Sequence, residues 1–315
     1  MRVQSIRARC VAALLLLAPL VAAQPAAAQK IKVRSAYVPA VTWLAAWVAK
    51  EQGFFDEQGL DVSFISVQNI SLVPGTVGKQ LDIAPATVID LINAVGGGID
   101  VVAVAGNHSD ATGHVASYVV VRKDSGIKSI KDFAGKTVAT PTVGAILHIA
   151  LLHWMKQEGV DINSIRAVEV PFPNMPDQMK AGRVDVAEAV EPFASRMIAA
   201  GNTSLGGQLM HVASPARSTV WISDRTWAAA HKDVIAKWAA ALEKARLFIE
   251  KDPARARVIL AQYTKLPPAV TATLPLPYYD FTLRPQELDV WIKVMSDLGN
   301  LQKPLKGADL MIAAH

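Results

Sequence analysis

The best candidate for binding chemistry is the segment Pro141-Thr-Val-Gly-Ala145, which follows an apolar strand pattern at 136–140 and opens a helical pattern. The start of a helix offers unpaired backbone N–H groups and the positive end of the helix dipole. Gly144 permits close approach to the backbone, and Thr142 adds a hydroxyl group. These features suit a carboxylate, a sulfonate or a similar anion, although a plain helix start capped by Thr142 explains the same residues equally well.

Three other motifs resemble known binding sites, but each has the wrong spacing or the wrong following element for such a site. Gly135-Lys-Thr137 resembles a phosphate-binding loop, but Ile130 stands where that loop needs its first glycine. Gly96-Gly-Gly98 is followed by a strand pattern and not by the helix of a dinucleotide site. His148 and His153 are five residues apart, which is not the spacing of a helical zinc pair. We therefore predict no catalytic residue, no metal site and no cofactor.

The first 28 residues have the pattern of a secretory signal peptide. Arg2, Arg7 and Arg9 precede an apolar run at 11–23, and Ala26-Ala-Ala28 follows it, as in a cleavage site for export. The run has 13 residues, fewer than the ~20 that a membrane-spanning helix needs. We predict cleavage after Ala28 and export to the periplasm, with a membrane anchor as the alternative.

The net charge of +5, from 32 basic and 27 acidic residues, suggests a nucleic-acid-binding protein until the charges are located. Removing residues 1–28 removes three arginines and no acid, which leaves +2. The mature chain then has no marked basic excess, and we predict no nucleic-acid partner. The single cysteine, Cys10, leaves with the same segment, so the mature chain has neither a disulfide nor a thiol nucleophile.

Strand and helix patterns alternate along the mature chain, which predicts an α/β fold. A first set covers 31–121, and a second set begins near Ser129 and runs to about residue 200. The segments Gly78–Pro85 and Gly182–Glu188 resemble each other, which suggests two similar lobes. The longest predicted helix, at 234–249, carries an apolar stripe with the helical period and belongs to the core.

Six short motifs occur in a fixed order between residues 31 and 240: Tyr37-x-Pro39, Ala49-Lys-Glu-Gln-Gly53-Phe-Phe55, Gly59-Leu-Asp-Val62, Ile130-Lys-Asp-Phe-Ala-Gly-Lys136, Gly182-Arg-Val-Asp185 and Glu191-Pro192. Together they resemble the nitrate/sulfonate/taurine/thiamine-precursor family of ABC-transporter substrate-binding proteins. The resemblance implies an α/β, bilobed periplasmic-binding-protein fold of type II (Venus flytrap), with a mixed sheet in each lobe and two crossovers. Residues 29–121 and 220–315 would form the first lobe, and residues 122–219 the second.

The same resemblance implies a ligand in the cleft between the lobes, where strands end and helices begin. The positions that it assigns to ligand binding are Thr42, Trp43, Asn69, Ala86, Thr87, Asn107, His108, Thr142, Val143, Gly144 and Glu191. Trp43 could stack on a planar ligand or simply pack, His108 could pair with an anion or lie exposed in a loop, and Glu191 could bind an amine or serve the hinge. The sequence departs from the family at Asn69-Ile-Ser71, where a Ser/Gly-rich pair is common, and at Val190, where an aromatic residue is common.

The implied function is that of a periplasmic, monomeric substrate-binding protein of an ABC importer. It would capture a small anionic or aromatic solute, such as a sulfonate, nitrate, taurine, a carboxylate or a pyrimidine-like compound, and deliver it to a permease in the inner membrane. It would not be an enzyme. Two alternatives remain: an enzyme that resembles thiamine-pyrimidine synthases on the same fold, and a sensor module that presents its ligand to a membrane receptor.

Overall fold

A computed structural model describes residues 29–312, so the predicted signal peptide lies outside the described residues. The strands are β1 (Ile31–Tyr37), β2 (Leu60–Ser66), β3 (Ala84–Thr87), β4 (Val101–Gly106), β5 (His108–Asp110), β6 (Ser117–Val121), β7 (Thr137–Thr140), β8 (Arg166–Glu169), β9 (Val186–Val190), β10 (Thr203–Gly206), β11 (Ala216–Arg217), β12 (Thr219–Asp224) and β13 (Tyr278–Tyr279). The α-helices are α1 (Leu44–Glu51), α2 (Phe54–Glu57), α3 (Val88–Gly96), α4 (Ile146–Gln157), α5 (Met175–Lys180), α6 (Phe193–Ala199), α7 (Arg225–Ala230), α8 (Lys232–Lys251), α9 (Pro253–Thr264), α10 (Pro268–Thr271) and α11 (Pro285–Asp297).

One group of strands, with the helices around it, forms what we call the first lobe. Strands β1 and β2 pair in parallel, β12 lies antiparallel between β3 and β4, and β5 lies antiparallel between β11 and β13. The lobe thus contains parallel and antiparallel pairs in three hydrogen-bonded groups. Its core includes Trp47, Trp221, Trp238 and Trp291, which are almost completely buried. Trp238 lies in the stripe at 234–249 that was expected to belong to the core.

The second lobe is a single mixed sheet with strand order β10-β6-β9-β7-β8. Strand β7 runs parallel to β8 and β9, and β6 runs antiparallel to β9 and β10. Apolar residues cover both faces of the sheet, with Leu151 and Phe133 in one cluster and Met175 and Met197 in the other. The fold is therefore α/β and bilobed, as expected.

The strand pairing bears on where the chain crosses between the lobes, for which boundaries at residues 121 and 219 were expected. The segment Ser117–Val121, assigned to the first lobe by its sequence position, lies between β9 and β10 in the second sheet. It is a buried, mostly β-branched segment, and such a segment needs neighbours on both edges. Strand β11 already pairs with β5 in the first lobe. We propose that one crossover lies between Asp110 and Ser117, and the other between Gly206 and Ala216.

The C-terminal segment completes the first lobe. Strand β13 pairs with β5, and the indole Nε1 of Trp291 in α11 donates to the carbonyl of Arg217 at 2.7 Å. The Arg217 side chain donates to the carbonyls of Asp280 and Thr282 at 2.6 and 3.1 Å. Within residues 29–312, the helices are all too short or too polar to cross a membrane.

Candidate ligand-binding cleft

A cavity of about 690 Å³, counting the part open to solvent, lies between the two lobes. The first lobe contributes Val38, Ala40, Thr42, Trp43, Gln68, Asn69, Ile70, Ser71, Thr87, Ser218 and Thr219. The second lobe contributes Ser117, Pro141, Thr142, Ala145, Ile146, Leu147, Phe172 and Val190, and Leu209 comes from the segment that connects the lobes. We call this cavity the cleft.

The apolar part of the cleft includes two aromatic rings held from behind. Trp43 is 2% exposed and packs edge-on against Trp221, with ring centroids 5.2 Å apart. Phe172 stacks on Phe193 at 5.8 Å with a 12° angle between the rings. Both rings are anchored by other aromatic groups, so they offer fixed apolar surfaces to a ligand.

Two α-helices begin at the cleft, and each start has a carboxylate nearby. Thr87 caps α3, because its hydroxyl accepts from the N–H of Asp90 while the Asp90 carboxylate accepts from the Thr87 N–H. Helix α4 has no side-chain cap at Ala145, but the Glu169 carboxylate accepts from the N–H of Val143 at 2.9 Å. The loop that was predicted to bind an anion therefore already has a carboxylate on one of its backbone donors.

The structure brings five of the predicted ligand-binding residues together on the cleft wall: Thr42, Trp43, Asn69, Thr87 and Thr142. Val143 and Gly144 line an adjoining depression, together with Ser71 and Asp90. Gly144 has a φ of 79°, a left-handed conformation that favours glycine. The assignment of these residues to ligand binding stays a prediction.

Four other predicted residues lie behind the wall instead of on it. Ala86 is fully buried in β3. The Asn107 side-chain amide donates to the carbonyl of Thr42 at 3.1 Å and to the Thr219 hydroxyl at 3.0 Å. His108 is completely buried, and its Nδ1 lies 2.8 Å from the hydroxyl oxygen of Ser218. These residues reach the cleft only through the residues that they support.

Glu191 is also behind the wall, where it joins the two lobes. Its carboxylate accepts from the N–H and the hydroxyl of Ser195 at 3.1 and 2.8 Å, at the start of α6. Its backbone carbonyl accepts from the N–H of Val41 in the first lobe at 3.2 Å. Its side chain thus holds the start of α6 and its backbone joins the lobes, while its role as a hinge or a ligand-binding residue stays a prediction.

Further contacts cross from lobe to lobe at the cleft. The Thr142 hydroxyl donates to Oδ1 of Asn69 at 3.4 Å. Ile146 and Leu147, in the first turn of α4, belong to an apolar cluster that is otherwise built mainly from first-lobe residues. The lobes therefore contact each other through the same residues that line the cleft.

Sequence reasoning missed several wall residues, notably Gln68, Ser117, Phe172, Ser218 and Thr219. Ser218 joins β11 to β12 and Thr219 begins β12, so the two residues lie where no pattern in the sequence separates the strands. Ser117 begins β6 and was not singled out by any motif. The two successive hydroxyl residues beside a crossover are the signal that could have identified Ser218 and Thr219.

The wall carries no ionisable side chain, but buried ionisable groups lie directly behind it. Burial raises the pKa of Asp110 to about 6, although the Ser117 hydroxyl and two backbone N–H groups lower it. Burial also raises the pKa of Asp90 and of Glu191. Burial, together with the charge of Arg217, lowers the pKa of His108 to about 3, so this ring is uncharged near neutral pH.

Comparison with known proteins gives a family model, a curated relative and solved structures. Residues 42–256 match the family model described as NMT1/THI5 like. A protein of Brachyspira hyodysenteriae, named as a candidate ABC transporter periplasmic binding protein, is 30% identical over 162 residues. The matched region is 47% of this chain and 46% of that protein, so the chain spans about half the length of this curated relative.

Two solved structures share the fold at low identity. The alkanesulfonate-binding protein SsuA from Xanthomonas axonopodis pv. citri, bound to MOPS, has a TM-score of 0.77 and 21% identity, with 91% of this chain and 100% of that chain covered. The periplasmic aliphatic sulphonate-binding protein SsuA from Escherichia coli has a TM-score of 0.75 and 17% identity, with 89% and 97% covered. Both place the chain in the bilobed periplasmic-binding-protein fold.

Proposed function

Because the chain belongs to the NMT1/THI5-like family, we propose that it is the substrate-binding protein of an ABC importer, exported to the periplasm. It captures a small solute in the cleft as a monomer and delivers it to a permease in the inner membrane. Binding stabilises the closed arrangement of the lobes, because a ligand that touches both lobes has a higher affinity for that arrangement.

The observation that carries this proposal is the composition of the cleft wall. Both lobes contribute to one cavity, and its wall combines anchored apolar surfaces with hydroxyl and amide groups. Such a wall can hold and orient a small molecule, since a few polar groups fix the ligand while apolar contacts supply affinity. It offers no ionisable side chain to act as a nucleophile, acid or base.

The test uses the full chain, expressed with its own N-terminus and purified without refolding. Its intact mass should correspond to a chain that begins after Ala28. A panel of sulfonates, nitrate, carboxylates, amines and aromatic compounds is then screened by thermal shift and calorimetry, and lobe closure is measured by small-angle X-ray scattering. A complete lack of stabilisation by the panel would count against a binding function.

The enzyme alternative rests on the likeness to thiamine-pyrimidine synthases, which carry a cysteine-rich motif. The only cysteine of this sequence is Cys10, within the predicted signal peptide. We therefore propose binding without bond-breaking, and a turnover assay with iron and pyridoxal phosphate tests it: a product that forms only with the protein would contradict the proposal. A sensor role differs in partner alone, so binding to a permease in reconstituted membranes distinguishes it.

A further inference from the structure

Four of the hydroxyl groups on the cleft wall direct their protons away from the cavity, and three of these lie beside a buried carboxylate or His108. The Ser117 hydroxyl donates to Oδ2 of Asp110 at 2.8 Å, and the Thr87 hydroxyl donates to Oδ2 of Asp90 at 2.7 Å. The Ser218 hydroxyl is held by His108, through the carbonyl at 3.2 Å and the ring Nδ1 at 2.8 Å. A hydroxyl has one proton and two lone pairs, so what remains for a ligand is acceptor capacity.

Thr142 and Thr219 extend this comparison to five of the seven hydroxyl residues on the wall. Thr142 donates to Oδ1 of Asn69, so its proton also stays within the protein. Thr219 is the exception, because its oxygen accepts from both the N–H of His108 and the amide of Asn107, which leaves its proton free. These five hydroxyls therefore present more acceptors than donors, and they favour a ligand that donates hydrogen bonds.

Asp110 adds a buried negative charge directly behind Ser117. It is completely buried, and apart from the Ser117 hydroxyl it accepts from the backbone N–H groups of Ala116 and Ser117, at 3.1 and 3.3 Å. Among residues 29–312, the ion pairs of Asp110 include no lysine or arginine; only Nε2 of His108 comes near, at 3.4 Å. Buried carboxylates usually have a positive partner. Asp110 lacks one within the described residues, and a cationic ligand can provide it.

The neighbouring positive groups are already engaged. Arg217 lies on the strand beside Asp110, but its guanidinium group contacts Glu287 at 3.2 Å and Asp280 at 3.5 Å. The helix dipole places roughly half a positive charge at the start of α4. The Glu169 carboxylate, which accepts from the N–H of Val143, offsets that charge. Asp90 and Glu191 lie at the starts of α3 and α6, whose positive ends partly offset their charge. Asp110 is held by hydrogen bonds alone, with neither a helix start nor a cation beside it among residues 29–312.

From these observations we infer that the solute bound in the cleft is a small organic cation, an ammonium or amidinium group on an apolar body. This inference rests on the proposed binding function and replaces the anion suggested by the loop at 141–145. The cationic group donates hydrogen bonds to the lone pairs of Ser117 and its neighbours, with Asp110 behind them. The apolar body packs against Trp43 and Phe172, whose rings also attract a cation.

Three probes with one apolar body test the inference. Benzamidine, benzamide and benzoate share the phenyl ring and differ in charge and in their ability to donate hydrogen bonds. They are titrated against the full chain by calorimetry at pH 7.5, together with the same three head groups on alkyl and indole bodies. We expect the amidinium member of each series to bind at least tenfold more tightly than its carboxylate, which corresponds to about 1.4 kcal/mol.

Substitutions then locate the effect. Asp110→Asn removes the charge with little change in shape, and Ser117→Ala removes the hydroxyl in case the first variant folds poorly. Each should weaken benzamidine binding by about tenfold, the usual effect of losing one hydrogen bond to a charged group, and should leave benzoate binding unchanged or stronger. Asp233→Asn, which removes an exposed carboxylate of α8, is the matched control and should change neither affinity.

The outcomes separate the two proposals. If carboxylates bind more tightly than amidinium compounds on every body, the cation inference is wrong while the binding function stands. Equal loss of benzamidine and benzoate affinity in Ser117→Ala and Asp110→Asn also overturns the inference, since it indicates a purely structural role. If no member of any series raises the melting temperature, the binding function fails and the inference fails with it.

Discussion

At the scale of single residues, Asp110 and His108 give opposite contributions to the pH dependence of stability. Burial raises the pKa of Asp110 to about 6, so the folded state binds the proton of this carboxyl more tightly than the unfolded state does. The free energy of unfolding therefore falls as the pH rises from 4 to 6 and the group ionises. The pKa of His108 is lowered to about 3, mainly by burial, so the unfolded state takes up the proton and stability falls as the pH drops from 6.5 toward 3.

We therefore predict that Asp110→Asn makes the protein more sensitive to acid. With the opposing contribution of Asp110 removed, the free energy of unfolding should rise more steeply with pH between 4 and 6 than it does in the unaltered chain. Urea unfolding at pH 4.5, 5.5 and 6.5 measures both slopes, and Asp233→Asn serves as the control. Equal slopes in the unaltered chain and the Asp110→Asn variant would contradict the opposite shifts of the two groups.

The same carboxylate should also make binding depend on pH. The groups around Asp110 are the neutral ring of His108, Tyr118 next to Ser117 on β6, Glu191 beyond them, and Arg217 next to Ala216 on β11. Tyr118 stays protonated, because burial raises its pKa to about 12, and Arg217 is paired elsewhere.

We predict that benzamidine binds more weakly at pH 5 than at pH 8, because protonation of Asp110 near pH 6 removes the negative charge behind Ser117. The expected loss is up to about tenfold at one unit below that pKa. Calorimetry at the two values of pH measures it, with Asp110→Asn as the comparison. If Asp110→Asn kept the full difference in benzamidine affinity between pH 5 and pH 8, the effect would belong to Glu191, whose pKa burial also raises, and not to Asp110.

At the scale of elements, Gly106 lets the C-terminal segment pack against the end of β4. Its N–H donates to the carbonyl of Phe281 at 3.0 Å. A Cβ at this position would overlap the carbonyl oxygens of Asp280 and Thr282, the latter at 2.7 Å, and would lie 2.9 Å from Nη1 of Arg217. The two carbonyl oxygens are backbone atoms, so they cannot move aside easily.

We predict that Gly106→Ala destabilises the protein by more than about 2 kcal/mol, the upper part of the range for overpacking. The measurement is urea unfolding of the variant and of Gly75→Ala. Gly75 has open space around its Cβ position and no positive φ, so this control should stay within about 0.5 kcal/mol of the unaltered chain. Similar stabilities for the two variants would show that the segment 280–282 is not fixed against β4.

The sequence predicts elements well where one physical pattern dominates. The alternating residues 31–37 have a strand pattern and form β1, and the apolar stripe at 234–249 lies inside α8. Residues 81–84 have a strand pattern that Pro85 would end, but the structure has β3 at Ala84–Thr87. Pairing with β12 decides this, since Ala84 and Ala86 pair with Ile222 and Val220. Short strands such as β5 and β11 have two or three residues, too few for any period to appear.

At the scale of the whole molecule, the sequence predicts the two lobes but not which residues face the space between them. Thr142 and Asn69 both follow strands that end at the cleft, and the Thr142 hydroxyl lies 3.4 Å from Oδ1 of Asn69. His108 also follows such a strand, yet it is completely buried. Whether a side chain lies on the wall or behind it depends on the register of β5 with β11 and β13, a long-range pairing that local patterns do not encode.

The contact between lobes depends on apolar packing at the start of α4. Leu147 is 3% exposed, lines the cleft and packs in a cluster with first-lobe residues such as Leu288 and Trp291. Leu151, one turn further along α4, is fully buried in a cluster of the second lobe. The two leucines thus form a matched pair on one helix: Leu147 packs between the lobes, and Leu151 packs within the second lobe.

We predict that Leu147→Ala opens the molecule while Leu151→Ala only destabilises the second lobe. Truncation of a buried leucine costs about 2–5 kcal/mol, and at Leu147 that loss falls on the closed arrangement, since the open one separates its partners. Scattering should therefore give a larger radius of gyration for Leu147→Ala, and solute affinity should fall because the binding-competent state is less populated. Leu151→Ala should lower the melting temperature without changing the radius. If both variants kept the radius of the unaltered chain, the lobes would be held by something other than this helix turn, and the hinge contact from Val41 to Glu191 would be the next to test.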